Sequence, residues 1–290
     1  MPRKKIIDLL IEAETALRSS HVTETPRLDA EVLLADLLGI DRSRLIASYT
    51  DWLGPDVIDK FQTRLERRLQ AEPVSYITGK REFMGLSFLV DPRVLIPRAE
   101  TETLVEYVIE LSRKYDIRQV LDIGTGSGCI AVSLAVFLPK AVLHATDTSA
   151  GALEVAKQNA GRHGVLEKIH FYEGDFYNSL PSSMKNSFDV IISNPPYIPD
   201  AEYPLLQKNV REYEPSAALR GGPDGLDPFR HIVGEALDWL SPDGIIAIEI
   251  GAGQAGPASN CLREAGLEDI EIVSDLAGTQ RVIAGRKQHG

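Results

Sequence analysis

Apolar side chains recur at three- and four-residue spacing in the first part of the chain, at Ile6, Leu9, Leu10 and Ala13 and again at Ala30, Leu33, Leu34, Leu37 and Leu38 before Gly39. That period buries one face of a helix. A third helical stretch is expected from about Pro55 to Leu69, with Lys60, Arg64, Arg67 and Arg68 along one side. Such a side either meets an acidic partner or is a solvated helix face. After Pro73 the pattern changes to alternation, and Phe83, Leu86, Phe88 and Val90 around Gly85 predict a short hairpin. Pro92 and Pro97 then stiffen a connector.

From Arg118 onward short β-type runs alternate with helical ones, the pattern of an α/β sheet wound with helices on both faces. Strands are expected at 119–123, 141–145, 169–172, 189–192 and 245–250, with helices at 129–138, 152–163 and 229–240. Gly164 is the expected stop of the second helix. The last two runs, 270–273 and 281–284, are joined by a few residues that include Gly278. So short a connection carries no crossover helix, so this pair is predicted to be antiparallel.

With 290 residues and 43% apolar content, the chain has material for two domains with substantial cores. The first apolar stretch after Met-Pro-Arg-Lys-Lys is broken at Asp8 and Glu12, too short and too charged for a signal sequence. No run approaches the roughly 20 apolar residues that span a bilayer. Only Cys129 and Cys261 are present and the six histidines lack paired metal-ligand spacing, so neither a disulfide framework nor a metal is implied. These features together predict a cytoplasmic protein with no membrane partner. With 31 basic against 42 acidic side chains the net charge is −11, a field that repels polyanions unless the cations cluster. Nucleic acid is accordingly a disfavoured partner.

The first chemical motif is Leu121-Asp122-Ile123-Gly124-Thr125-Gly126-Ser127-Gly128, a strand ending in a glycine turn that opens a helix. Such a turn either lets backbone approach a ligand or serves helix packing. Its Gly-x-Gly-x-Gly spacing differs from the dinucleotide fingerprint and suits a ligand without phosphates. Asp147 ends the second strand, where a carboxylate accepts from ribose hydroxyls, or else begins a turn or caps the helix near Ser149 and Ala150. Asp175 closes the third strand beside Phe176. There it either accepts from an adenine amino group while Phe176 stacks on the ring, or is a loop aspartate beside a core aromatic. Three such positions at consecutive strand ends together describe a nucleoside pocket.

Asn194-Pro195-Pro196-Tyr197 follows the strand Phe188-Asp189-Val190-Ile191-Ile192-Ser193. Prolines lack an N–H and push the preceding residue out of the helical region, so this segment projects carbonyl acceptors from a stiff, extended backbone. If the Asn194 side-chain oxygen and the Pro195 carbonyl each take one N–H of a planar NH₂ group, its electron density faces an incoming methyl group. Tyr197 is placed to stack on that group and shield it from water. A proline-rich turn without function is the alternative. The weakly periodic stretch 195–227 is expected to cover the substrate end of the pocket. Arg98, Glu100 and Glu102 lie either at the same mouth or on a charged linker surface.

Across nearly its whole length the chain resembles the peptide chain release factor glutamine methyltransferases. The resemblance rests on Pro73-Val74-Ser75-Tyr76-Ile77-Thr78-Gly79, Arg81-Glu82-Phe83-Met84-Gly85, Leu95-Ile96-Pro97-Arg98 with Glu100 and Thr101-Glu102, the Gly124 to Gly128 turn and Asn194-Pro195-Pro196-Tyr197-Ile198-Pro199. It continues in Tyr213-Glu214-Pro215, Gly221-Gly222-Pro223-Asp224-Gly225-Leu226-Asp227 and Asp275-Leu276-Ala277-Gly278. Methyltransferases acting on adenine share the Asn-Pro-Pro-Tyr turn, but the flanking segments are more specific. The resemblance implies an N-terminal helical substrate-recognition domain over 1–75, a β-hairpin linker over 76–98 and, over 99–290, a seven-stranded Rossmann-like S-adenosylmethionine-dependent methyltransferase domain. It implies methylation of the side-chain amide of the glutamine in the Gly-Gly-Gln motif of translation release factors. On this reading Gly124, Thr125, Gly126, Ser127, Gly128, Asp147, Asp175, Phe176 and Asn194 hold the cofactor S-adenosylmethionine, and Asn194, Pro195, Pro196 and Tyr197 hold the substrate and carry catalysis. Two other readings are an adenine-N6 methyltransferase acting on DNA or RNA, which calls for a basic groove, and a non-catalytic nucleoside-binding regulatory protein, which gives the Asn-Pro-Pro-Tyr turn no purpose.

Overall fold

Helix boundaries in the first eighty residues follow local chemistry. Pro26 and Pro55 sit in first helical turns, where a missing N–H costs nothing, and Gly39 and Gly79 leave their helices in the left-handed conformation. Asp41 caps a third helix by accepting from the Arg44 N–H at 2.7 Å. The computed structural model describes residues 3–288, so Met1 and Pro2 of the amino-terminal reading lie outside it, as do the last two residues. Its first elements are β1 (Lys4–Lys5), α1 (Ile6–Ser20), α2 (Pro26–Leu38), α3 (Arg42–Ala47), β2 (Trp52–Leu53), α4 (Pro55–Leu69) and α5 (Val74–Thr78). They enclose a core that includes Leu9, Leu10, Leu33, Leu34 and Phe61.

The basic side of α4 has its acidic partners within the chain itself. Lys60 meets Asp56 at 3.0 Å, Arg64 meets Asp36 at 2.6 Å, Arg67 meets Glu72 at 2.5 Å and Arg68 meets Asp29 at 2.7 Å, the last pair buried. Arg64 and Arg68 are therefore engaged in the fold, while Lys60 and Arg67 are paired on the surface.

The chain divides into two compact units, one made of residues up to Lys80 with Leu206–Glu214, the other of Arg81–Leu205 with Pro215 onward. The larger unit opens with the hairpin of β3 (Lys80–Phe83) and β4 (Leu86–Leu89) and continues through α6 (Glu102–Leu111), β5 (Gln119–Ile123), α7 (Cys129–Phe137), β6 (Val142–Asp147), α8 (Ala150–Arg162), β7 (Ile169–Glu173) and β8 (Phe188–Ser193). After α9 (Lys208–Arg211), a member of the first unit, come α10 (Asp227–Trp239), β9 (Leu240–Glu249), α11 (Ala255–Glu264), β10 (Glu268–Ser274) and β11 (Gln280–Arg286).

Seven strands form one sheet in the order β10-β11-β9-β8-β5-β6-β7, parallel except that β11 runs antiparallel to both neighbours. The short 275–279 connection accounts for the antiparallel pair, as expected. Val120, Val190, Ile192 and Ala247 face a core shared with α6 and α7, while Leu121, Ile191, Ile246 and Ile248 face one shared with α10 and α11. Central strands buried on both faces are the sign of a parallel sheet between helix layers. From β5 the chain winds outward to β6 and β7, then returns to place β8 on the other side of β5. The sheet reverses direction there, and ligands in such sheets lie outside the strand ends at that point.

Three elements depart from the sequence expectation. β9 begins at Leu240 rather than near 245, because Pro242, Asp243 and Gly244 read as a turn but lie within a strand whose pairing with β8 shifts register between Phe188 and Val190. α11 starts with Ala-Gly-Pro, which reads as loop, and α5 occupies residues whose alternation reads as extended. Among the described residues no helix is long and apolar enough to cross a membrane.

Asn159 on α8 is fully buried and ties two segments together. Its Oδ1 accepts from the Leu89 N–H at 2.7 Å, and its Nδ2 donates to the Leu89 carbonyl at 3.0 Å and the Ser127 carbonyl at 2.9 Å. Hairpin and glycine turn are thus held by one amide. Asn159→Ala strands these buried groups and should lower unfolding free energy on the order of 3 kcal/mol. Denaturant titration checks this, and a loss below the error of the measurement would show that the hairpin is held by its apolar contacts alone.

Candidate functional site

The glycine turn leaves β5 at the reversal of the sheet, and its residues do unlike things. Gly126 has φ 55 and nothing within 4 Å of the place a Cβ would occupy, so a side chain there would project into open space. Gly128, with φ 79, lies against α8, where a Cβ would stand 3.0 Å from that of Ala156. One turn thus has both an open face and a face packed against a helix. Thr125 is buried and its hydroxyl donates to Asp122 Oδ2 at 2.6 Å, while Ser127 is buried beneath the turn.

Asp147 at the end of β6 accepts from the Gly126 N–H at 2.9 Å through Oδ2 and from the Ser149 N–H at 2.9 Å through Oδ1. It braces the glycine turn and begins the turn into α8, whose N-cap is Ser149. Carboxylate oxygens carry about four acceptor sites, so two N–H bonds leave capacity for a diol. Burial raises the carboxyl's pKa from its usual value, against the pull of these N–H groups. Phe176 stacks on His231 with centroids 4.9 Å apart.

A cavity of about 390 Å³ collects these groups. Gly124, Gly126, Asp147, Asp175, Phe176, Asn194 and Pro196 line it, whereas Thr125, Ser127, Gly128, Pro195 and Tyr197 are not among its lining residues. That volume suits a nucleoside-sized ligand. Further wall is supplied by Pro215, Ala217 and Arg220, from the 195–227 stretch expected to cover the pocket, and by Arg93 and Ser149, which sequence reading did not select for it. Arg93 is engaged with Asp91 and Glu154, and Arg220 with Asp200.

Asn194 leaves β8 directly beyond Ser193, and its Nδ2 donates to the hydroxyl of Thr101 at 3.0 Å. The turn that follows is clamped from the 221–227 segment. A Cβ at Gly221 would stand 2.7 Å from the Pro196 carbonyl oxygen and one at Gly225 would stand 2.3 Å from that of Tyr197. Gln254 also donates to the Tyr197 carbonyl at 3.0 Å. Burial, with the nearby Glu249 charge, pushes the Tyr197 phenol up to about 12, so it keeps its proton. Glu249 itself is 1% exposed at the end of β9 and was not singled out from sequence. A lone acid closing the apolar run 245–250 was the available signal.

Residues 8–79 match the family model described as the PrmC N-terminal domain, and residues 100–212 match that of the methyltransferase small domain. A release factor glutamine methyltransferase of Geobacter sulfurreducens is 44% identical over 91% of this chain and 90% of its own. That of Moorella thermoacetica is 42% identical over 89% and 90%, and that of Chlorobaculum tepidum 39% identical over 95% and 96%. Among solved structures, a methyltransferase from Pyrococcus furiosus is similar with a TM-score of 0.52 and 18% identity, covering 79% of this chain and 98% of that one. The catalytic domain of hMettl16, solved with the MAT2A 3'UTR hairpin 6, gives 0.53 and 20%, covering 74% and 80%. The likeness to these two structures is one of fold.

Asp122 beneath the glycine turn is fully buried, and burial pushes its carboxyl up to about 7, helped by the charge of Asp147 and opposed by the Thr125 hydroxyl. The folded protein thus holds this proton more tightly than the unfolded chain, where the ordinary value is 3.8. The associated stability is present at low pH and is lost as pH rises from about 4 to about 7. Between pH 5 and pH 8 the wild type should therefore lose roughly 3 kcal/mol more stability than Asp122→Asn. Urea melts at both pH values test this, and equal losses in the two proteins would show that burial does not raise the Asp122 carboxyl.

Proposed function

The chain belongs to the release factor glutamine methyltransferase family, and from that premise we propose that it transfers a methyl group from S-adenosylmethionine to the side-chain amide nitrogen of the glutamine in the Gly-Gly-Gln motif of translation release factors. The observation that carries this reading is the opening of Asn194 and Pro196 onto the same 390 Å³ cavity as Gly126, Asp147 and Asp175. The residues fit the cofactor: the glycine turn leaves room where a Cβ would project, and the acidic strand ends offer acceptors to hydroxyl and amino groups. Gly124, Gly126, Asp147, Asp175 and Phe176 would hold it, with Thr125, Ser127 and Gly128 shaping the turn from behind. When bound, S-adenosylmethionine supplies a methyl group on a positively charged sulfur.

An amide nitrogen is a weak nucleophile because its lone pair is delocalised into its own carbonyl, so geometry matters more than a general base. In this reading the Asn194 Oδ1 and the Pro195 carbonyl accept the two N–H groups of the glutamine side chain. Those protons become more acidic as the nitrogen gains positive character, and acceptors already in place favour the transition state over the ground state. Tyr197, protonated and with its backbone carbonyl accepting from Gln254, lies against the planar amide and excludes water. The helical unit is read as the docking surface for the factor, with cytoplasmic location part of the same proposal. Nucleic acid fits poorly with a net charge of −11 and an α4 whose cations are already paired.

Incubation with radiolabelled S-adenosylmethionine and either intact release factor or nucleic acid separates the readings, and label in nucleic acid alone would sink this one. Asn194→Ala should lower kcat by roughly 10²–10³-fold, the scale for removing one preorganised polar partner from a transition state, while cofactor affinity changes far less. A folded Asn194→Ala protein working at the wild-type rate would refute the acceptor mechanism. Asp147→Ala should weaken cofactor binding by about 1.5–3 kcal/mol, as for a lost charge-assisted hydrogen bond. Unchanged affinity by calorimetric titration would remove Asp147 from the site.

A further inference from the structure

We infer that Thr101 and Glu249 are positioning residues for the methyl transfer: a buried polar chain, hydrogen-bonded from Asn194 to Thr101 and backed by the Glu249 carboxylate that Thr101 faces, fixes which end of the Asn194 amide faces the cavity. The inference rests on the acceptor role proposed for Asn194 and adds what makes that side chain an acceptor rather than a donor. An asparagine amide is nearly symmetric in shape, and only its hydrogen-bond partners distinguish the oxygen from the NH₂. Here Nδ2 donates to Thr101 Oγ1 at 3.0 Å, which turns Oδ1 the other way.

Taken alone, that contact is reversible. A threonine hydroxyl both donates and accepts, so Thr101 is equally able to give its proton to Oδ1 and turn the NH₂ toward the cavity. Two N–H donors would then confront the N–H groups of a substrate amide. A group behind Thr101 that only accepts removes this choice, because it takes the hydroxyl proton and leaves the oxygen free to accept from Asn194. Glu249 has that character. Ser193 pairs with Ile248 across the parallel strands, so Asn194 and Glu249 leave β8 and β9 side by side. Glu249 is 1% exposed and Thr101 2%, and the Thr101 and Tyr197 hydroxyls face the carboxylate and favour its charged form. Neither Glu249 oxygen completes a hydrogen bond in the structure, so both remain open to the Thr101 proton.

Such a carboxylate costs stability, which a structural role would not explain. Burial pushes Glu249 up to about 7, and the charge of Glu100 adds to this, while Thr101, Arg281 and Tyr197 oppose it. Cys129 on α7, a neutral thiol held well up by burial, also faces Glu249. Once protonated, Glu249 becomes a donor and no longer dictates the direction of the chain. Activity should therefore fall as pH drops below about 7, through kcat.

The test uses the full-length protein with intact release factor and S-adenosylmethionine. Thr101→Val keeps the shape but breaks the chain, and should lower kcat on the order of tenfold or more with KM and cofactor affinity little changed. Thr101→Ser, which keeps the hydroxyl, should restore most of the rate. Glu249→Gln should lower kcat, abolish the acid limb near pH 7 and leave Tm at pH 8 equal to or above that of the wild type, since a buried charge is removed. Wild-type kcat in both Thr101→Val and Glu249→Gln, with Asn194→Ala impaired, would overturn the positioning chain and leave the acceptor role intact. An acid limb that survives in Glu249→Gln, or Tm falling together with activity, would also overturn it. Wild-type activity in Asn194→Ala strikes the acceptor role itself, so the two failures are distinguishable.

Discussion

The parallel pairing of β5 with β8 is the contact on which the cavity depends. Ile123 stands opposite Ser193, and the Ser193 hydroxyl donates to the Ile123 carbonyl at 2.7 Å in the buried centre of the sheet. The next residues are Gly124 on one strand and Asn194 on the other. One register therefore brings the glycine turn and the proline turn to the same end of the sheet at the same height. A slip of one residue would turn the apolar faces of either strand over, and both cores oppose it.

Electrostatics around that point share one sign. Asp122, Asp147 and Glu249 all lie near the strand ends with pKa values raised chiefly by burial. The result is a set of buried carboxyl acceptors at the strand ends, suited to hydroxyl and amide N–H groups and hostile to phosphate. The chain's acidity points the same way, while the cations of α4 are used internally.

Much of this was legible because strand ends and turn residues are local signals. Gly124 to Gly128, Asp147, Asp175 and Asn194 each sit where a β-type run stops, so their convergence followed from sheet topology alone. Which of them reach the cavity was not legible, since Thr125 turns down to Asp122 and Gly128 turns toward Ala156 through contacts set by packing. Thr101 was visible only as part of a family motif and Glu249 only as a lone acid in an apolar run, and neither signal carries a role by itself. Only the pairing of β8 with β9 brings Glu249 beside Asn194. Likewise α11 was hidden by Gly256 and Pro257 and the start of β9 by Pro242 and Gly244, where tertiary context overrides local preference.

The clamp over the proline turn bears on how portable the motif is. Pro196 and Tyr197 present their carbonyls to Gly221 and Gly225 at distances that exclude any side chain, and Gln254 braces the same turn from a third segment. A short sequence string copied into another sheet would arrive without its mould. The unit of inheritance is the turn together with its distant glycines, so an engineer moving this turn, or a lineage drifting away from it, must carry all three segments or lose the shape.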